Sequence, residues 1–135
     1  MRIEDRPRAA LELLITDILR SESLGSGDLR IEYEASVDNF AGKGWCWVTA
    51  DDFHAFAVAA RQILTSFNGR AKLTSMSPGE MSFSLSPANS RYVLVQFAGA
   101  KTQPLPCSMS GAFEVELAAL VPVVAWAEHP QRESE

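Results

Sequence analysis

The segment GKGWCWVTADDFHAF, residues 42–56, concentrates side chains that could do chemistry, among them Cys46, His54 and two adjacent aspartates. A thiol and an imidazole form a nucleophile–base pair only within hydrogen-bond reach, with a third group orienting the base. Cys46 is expected mid-strand, about five residues before the helix that carries His54, which is too far for activation by the helix dipole. We therefore expect a buried thiol and a surface histidine.

Asp51 and Asp52 could belong to a metal site, but the spacing of potential ligands argues against one. The sequence contains no HxxxH, HxH or CxxC pattern, and His129 lies far from the other histidine. Two acidic residues at the start of a helix favour the positive end of its dipole, and Thr49 or Asp51 can cap its free N–H groups. The sequence predicts no metal ligands and no cofactor.

Glu32 and Glu34 are a possible catalytic pair, about 7 Å apart on one face of a strand. An acid–base pair needs an environment that raises one carboxyl pKa, and these two alternate with Arg30 on a solvated face. The serine-containing segments lack the strand–turn–helix context of a nucleophilic serine, and the glycines form no phosphate-binding loop. We predict no catalytic residues and a protein that is not an enzyme.

The elements around these residues follow from hydrophobic periodicity. Residues 29–37, LRIEYEASV, alternate apolar and polar side chains, which is typical of an antiparallel strand with one wet face. WCWVT predicts the next strand, and residues 51–67 have helical spacing. Four short β-like runs follow, and residues 117–128 predict a second helix with Pro122 in its first turn. Residues 9–19 fit a strand or a helix equally well.

This order predicts an α+β fold: an antiparallel sheet of six to seven strands, with helices at about 51–67 and 117–128 packed on one face. The length of 135 residues fits a single domain, 1–135, with flexible tails at 1–8 and 129–135.

Composition narrows the range of partners. The net charge is −5 and no cluster of lysine or arginine is present, which argues against nucleic-acid binding. No apolar run approaches the ~20 residues that span a bilayer, so we expect no membrane partner. Two cysteines without a paired spacing favour free thiols and a cytoplasmic location.

Several segments together resemble a known family. They are DNFAGKG followed by WVTADDFHAF, then GRAKLTSMSPGE, and finally GAFEVELAAL before the last helix. This pattern of core and turn residues, over about residues 11–127, resembles the small bacterial domains that include the WapI-type immunity proteins. The resemblance implies that residues 11–18 form a strand and that the protein binds and neutralises a cognate toxin. It carries no catalytic motif to transfer.

Trp45 and Trp47 share one face of their strand, and the register with the preceding strand decides which face that is. One register places both tryptophans in the core with Tyr33 and Val37. The other places them on the outward face with Phe40 opposite Trp45, and we favour it because it brings Val37 and Val48 together under the helix. The candidate protein-contact residues are Phe40, Trp45, Trp47, Glu32, Glu34 and Asp38.

We therefore predict a non-catalytic protein-binding domain of the immunity-protein type, monomeric or homodimeric. An acidic surface of Glu32, Glu34, Asp38, Asp51 and Asp52 would suit a basic toxin domain. Two alternatives remain open at this point. One is a small-ligand or enzymatic site in a pocket between helix 53–67 and the sheet. The other is a self-associating domain that buries the two tryptophans across a two-fold axis.

Overall fold

The computed structural model describes residues 1–5, 8–19, 27–38, 40–101 and 106–133. The chain folds as two similar sets of elements, each of four strands followed by one α-helix. The first set is β1 (Arg2–Asp5), β2 (Ala9–Ile18), β3 (Leu29–Val37), β4 (Phe40–Val48) and α1 (Ala50–Ser66); the second is β5 (Ala71–Thr74), β6 (Met81–Pro87), β7 (Tyr92–Lys101), β8 (Cys107–Glu116) and α2 (Leu120–Glu128). Short 3₁₀ turns at Asn89–Arg91 and Leu117–Ala119 precede β7 and α2.

The α+β class is confirmed, but the expected single sheet of six to seven strands is wrong in detail. The strands form two four-stranded antiparallel sheets, ordered β1-β2-β3-β4 and β5-β6-β7-β8. Short connections pair strands that are neighbours in the chain, whereas α1 carries the chain from one sheet to the other. At the boundary, the Met76 N–H donates to the Trp47 carbonyl over 2.7 Å.

The first strand of the first sheet was not predicted from the sequence. Residues 2–5, expected within a flexible tail, form β1 and pair with residues 9–12. The ambiguous stretch is a strand, β2, as the family resemblance implied, because Leu11, Leu13 and Ile15 alternate with half-buried or exposed residues and are themselves fully buried. The strand period rather than the helical period therefore describes this segment.

The inner faces of both sheets meet in one hydrophobic core. Tyr33 of the first sheet contacts Phe97 of the second, with ring centroids 5.3 Å apart. Glycine permits a close contact at two places, one within the first sheet, where Gly44 pairs with Tyr33, and one between the sheets at Gly111. A Cβ on Gly44 would lie 2.5 Å from the Tyr33 hydroxyl oxygen, and one on Gly111 would lie 2.7 Å from a Val37 methyl group.

The helices cover the remaining part of the core. Thr49 caps α1 by accepting a hydrogen bond from the Asp52 N–H, and the helix ends where Phe67 takes a left-handed φ of 50°. Phe53 of α1 meets Trp126 of α2 edge-on at 5.1 Å. Pro122 occupies the first turn of α2, where no helical N–H is lost.

Glu133, expected in a flexible tail, is tied to the first sheet. Its N–H donates to the Ile15 carbonyl, and its carboxylate accepts the Ile15 N–H over 2.7 Å and the Trp126 indole N–H over 3.3 Å. The segment after α2 therefore continues the hydrogen bonding of the sheet beside β2. Because its partners lie on β2 and α2, this residue links the first sheet to the last helix.

Candidate protein-contact surface

Trp45 and Trp47 lie on the outward face of the first sheet. The β3–β4 register pairs Trp45 with Glu32 and Trp47 with Arg30, which belong to the wet face of β3. The alternate residues of β4, Cys46 and Val48, are fully buried. Trp45 is 55% exposed, so a large aromatic side chain stands in solvent. The expected outward placement of the tryptophan pair therefore matches the structure.

The pairing register of β3 with β4 differs from the expected one, and the position of Phe40 differs with it. Val37 pairs with Phe40, so the strands meet before the glycines that follow, which lie within β4. Asp38 has a left-handed φ of 53°, as two-residue hairpin turns require. Phe40 therefore belongs to β4, on the face opposite Trp45, and the expected pairing of Phe40 with Trp45 is wrong.

Arg30 holds Trp45 in place. Its guanidinium carbon lies 4.5 Å from the Trp45 ring centroid, a cation–π arrangement. The same guanidinium donates to the Thr16 hydroxyl over 2.8 Å and pairs with the Glu32 carboxylate at 3.3 Å. These contacts reduce the conformational entropy that the exposed indole would lose on binding a partner. This role of Arg30 was not predicted from the sequence, in which the residue has the pattern of a solvated charge on the wet face of β3.

The predicted acidic surface is not one patch. Glu32 and Glu34 lie on the outward face, with Glu32 paired to Arg30 and Glu34 opposite Lys43. Asp38 lies at the hairpin turn, whereas Asp51 and Asp52 lie at the start of α1 beyond the other end of β4. Eight residue steps along β4 separate these ends by about 27 Å. The five carboxylates therefore cannot meet one compact basic site together.

Phe40 lines a groove between β4 on one side and the end of β7 with the beginning of β8 on the other. The groove has a volume of about 380 Å³, and its walls include Phe40, Tyr33, Lys43 and Met109. Phe40 is 78% exposed. Its ring is thus an accessible apolar feature, separated from the tryptophan pair by the thickness of the sheet.

A second groove, of about 440 Å³, lies between α1, α2 and the start of β3, near the position expected for a ligand pocket. His54, Arg61, Glu128 and His129 contribute to its walls. The Arg61 guanidinium forms two hydrogen bonds with the Glu128 carboxylate, which raise the pKa of Arg61 and lower the pKa of Glu128. The charged groups of this groove are therefore already paired with each other.

Cys46 and His54 occupy opposite environments. Burial, together with the charge of Glu80, raises the pKa of the Cys46 thiol from 9.0 to about 12. His54 is exposed on the first turn of α1. A thiol with that pKa carries almost no thiolate at neutral pH, and the thiolate is the nucleophile. Both cysteines are free, and Cys107 is exposed.

Among the described residues, no three His, Cys, Asp or Glu side chains come close enough together to hold a metal ion. In the same part of the chain, no helix is long and apolar enough to span a membrane. Comparison of the sequence and structure with protein-family models, curated proteins and solved structures finds no significant match.

Proposed function

We propose that this protein is a non-catalytic binding domain that recognises a protein partner through the outward face of its first sheet. The observation that carries the proposal is Trp45, exposed by 55% yet fixed by Arg30. Exposed tryptophans that are held in position are common anchors of protein interfaces. The resemblance to immunity proteins supplies the class of partner, a toxin domain, and a cytoplasmic location belongs to the same proposal.

The charges of this face support a partner with basic residues at its rim. Glu34 is exposed, and Glu12 is its cross-strand neighbour on β2. Their carboxylates can attract lysine or arginine side chains of the partner and raise the rate of association. The face also contains Arg2 and Lys43, so complementarity requires a matching pattern of charge rather than a uniformly basic surface.

The alternative of a small-ligand or enzymatic site has less support. It would use the groove between α1 and α2, where the Arg61 and Glu128 side chains neutralise each other. Cys46, the buried thiol, does not line this groove and is protonated at neutral pH because its pKa is about 12. A ligand in this groove would have to displace an ion pair before it gained a polar contact.

The test begins with the products of the genes on either side of this one. Each is purified and its binding to this protein is measured by calorimetry, and each is co-expressed to measure growth arrest and its relief. We expect one product to arrest growth and to bind this protein, and Trp45→Ala to weaken that binding by about 30-fold or more. Val58→Ala removes a similarly exposed apolar side chain from α1 and is the matched control.

Charge reversal provides a second readout. Glu34→Lys should slow association with the same partner at low salt and leave the dissociation rate nearly unchanged, because rim charges act mainly on encounter. Asp52→Lys, on the distant start of α1, is the control. Equal binding by Trp45→Ala and the wild type, or no binding by any neighbouring product, would contradict the proposal.

A further inference from the structure

The two sheets have four edge strands, and they differ in how well they are protected against pairing with another strand. Short length, charged side chains and proline are the usual protections. β1 has four residues, three of them charged, and β5 has four residues with an exposed Lys72. β4 carries Lys43, and Met76 already bonds to its edge at Trp47.

β8 is protected only at one end, because its charged residues, Glu114 and Glu116, lie near its C-terminus and residues 107–113 carry neither charge nor proline. It spans ten residues, Cys107–Glu116, without lysine, arginine or proline, and it pairs with β7 in a regular register without a bulge. Within the described ranges of the chain, β7 is its sole backbone partner. Residues on its outer face, including Ser108, Ser110 and Ala112, are exposed and small, so they leave the edge accessible.

We propose that β8 pairs with β8 of a second copy of this chain, in antiparallel orientation about a two-fold axis at Gly111. This pairing makes one continuous eight-stranded sheet from the two copies. It is an isologous interface, in which the same strand serves both partners. The inference does not depend on the proposed toxin partner, because that partner is placed on β4.

The sequence of β8 is complementary to itself in this register. Met109 lies opposite Phe113 of the second copy on the inner face, and Ser110 lies opposite Ala112 on the outer face. Glu114 lies opposite Ser108, so no like charges meet. The contact between the Met109 sulfur and the Phe113 ring stabilises such a ladder, and the small Ser110 and Ala112 side chains pair without a steric clash.

The exposed Phe40 ring also favours pairing along the edge of β8. Phe40 shares a groove with Cys107 and Met109, at the beginning of β8. It is the most exposed of the large hydrophobic side chains in the described residues. A strand added along β8 would lie beside this groove and shield the Phe40 ring from water. An isolated chain, by contrast, leaves both the apolar ring and the open edge in solvent.

Sedimentation velocity over micromolar to millimolar concentrations tests the pairing, with circular dichroism to verify folding. We expect wild-type protein to form a dimer. Ser110→Lys with Ala112→Lys places like charges opposite each other twice and should weaken the dimer about 10- to 30-fold. Ser110→Lys with Ala112→Glu pairs opposite charges only in the proposed register, and should retain the dimer. Val58→Lys with Thr65→Lys adds the same charge on α1 as a control.

A wild-type protein that stays monomeric at millimolar concentration overturns the pairing. Equal dimerisation by the like-charged β8 variant and the α1 control also overturns it. Loss of the dimer in Trp45→Ala would place the interface on the outward face of β4 instead. Failure of toxin binding alone leaves these sedimentation results unaffected, so the two proposals fail independently.

Discussion

Gly44→Ala is expected to destabilise the core, because Gly44 pairs with Tyr33 in the first sheet and the Tyr33 ring contacts Phe97 of the second sheet. A Cβ on residue 44 would be 2.5 Å from the Tyr33 hydroxyl oxygen and 2.7 Å from the ring carbon that carries it. The ring cannot turn away easily, since Phe97 lies on it at 5.3 Å. The backbone of the second sheet also lies close to the ring, since a Cβ on Gly99 would be 3.0 Å from the same hydroxyl oxygen.

The expected cost is that of overpacking a core, about 1–3 kcal/mol in the free energy of unfolding. We take about 2 kcal/mol, which corresponds to a fall in Tm of about 6–8 °C for a chain of this size. Gly42→Ala is the matched comparison on the same strand. Its new Cβ would be 2.9 Å from the Met109 sulfur, a flexible side chain that can move, so we expect a cost below about 1 kcal/mol.

Chemical denaturation of the two variants and of a double-mutant cycle measures this effect. Tyr33→Leu removes the ring, and in that background Gly44→Ala should cost close to nothing. The coupling free energy should then equal most of the single-variant cost. If Gly44→Ala is as stable as wild type, or costs the same with and without the ring, the contact between Tyr33 and Gly44 does not constrain the sheets.

Three further predictions concern the stability of the fold and the accessibility of its two thiols. The pKa of Cys46 is raised from 9.0 to about 12 in the folded state, so between these pH values the folded protein holds a proton that the unfolded chain loses. The free energy of unfolding should therefore fall by up to about 1.4 kcal/mol per pH unit in this range. Cys46→Ala should remove this slope when denaturation is measured against pH. A thiol reagent near pH 8 should label Cys107 alone until the protein unfolds; two labelled thiols in native protein would contradict the burial of Cys46. Thr49→Ala should cost about 1 kcal/mol by removing the cap of α1, whereas Thr65→Ala on the exposed face of the same helix should cost less, and equal losses of Tm would argue against the cap.

Much of the secondary structure could be predicted because its period is plain. The alternation in β3 and the helical spacing of α1 each reflect one buried face, and local sequence is enough to show that. The division into two sheets could not be predicted in this way. It depends on which edges pair after α1, and an alternating pattern such as that of β2 or β3 does not show which sheet a strand joins.

The contact surface was predictable in part. The two tryptophans share a face by period alone, but which face that is depends on the pairing of Val37 with Phe40. Glycines later in the segment are stronger turn formers, and they drew the turn to the wrong place. The contacts of Arg30 and Glu133 join residues distant in the chain, and no local pattern records such pairs.

Hydrogen exchange of this protein, alone and bound to the toxin-like product of a neighbouring gene, tests the central proposal most directly. If the partner covers the outward face of the first sheet, amide exchange should slow in β4 over residues 41–47 and in the adjoining part of β3. Exchange in α1 and α2 should stay as it is in the free protein. Slowed exchange confined to residues 53–61 and 123–129 would place the partner in the groove between the helices and contradict the proposed surface.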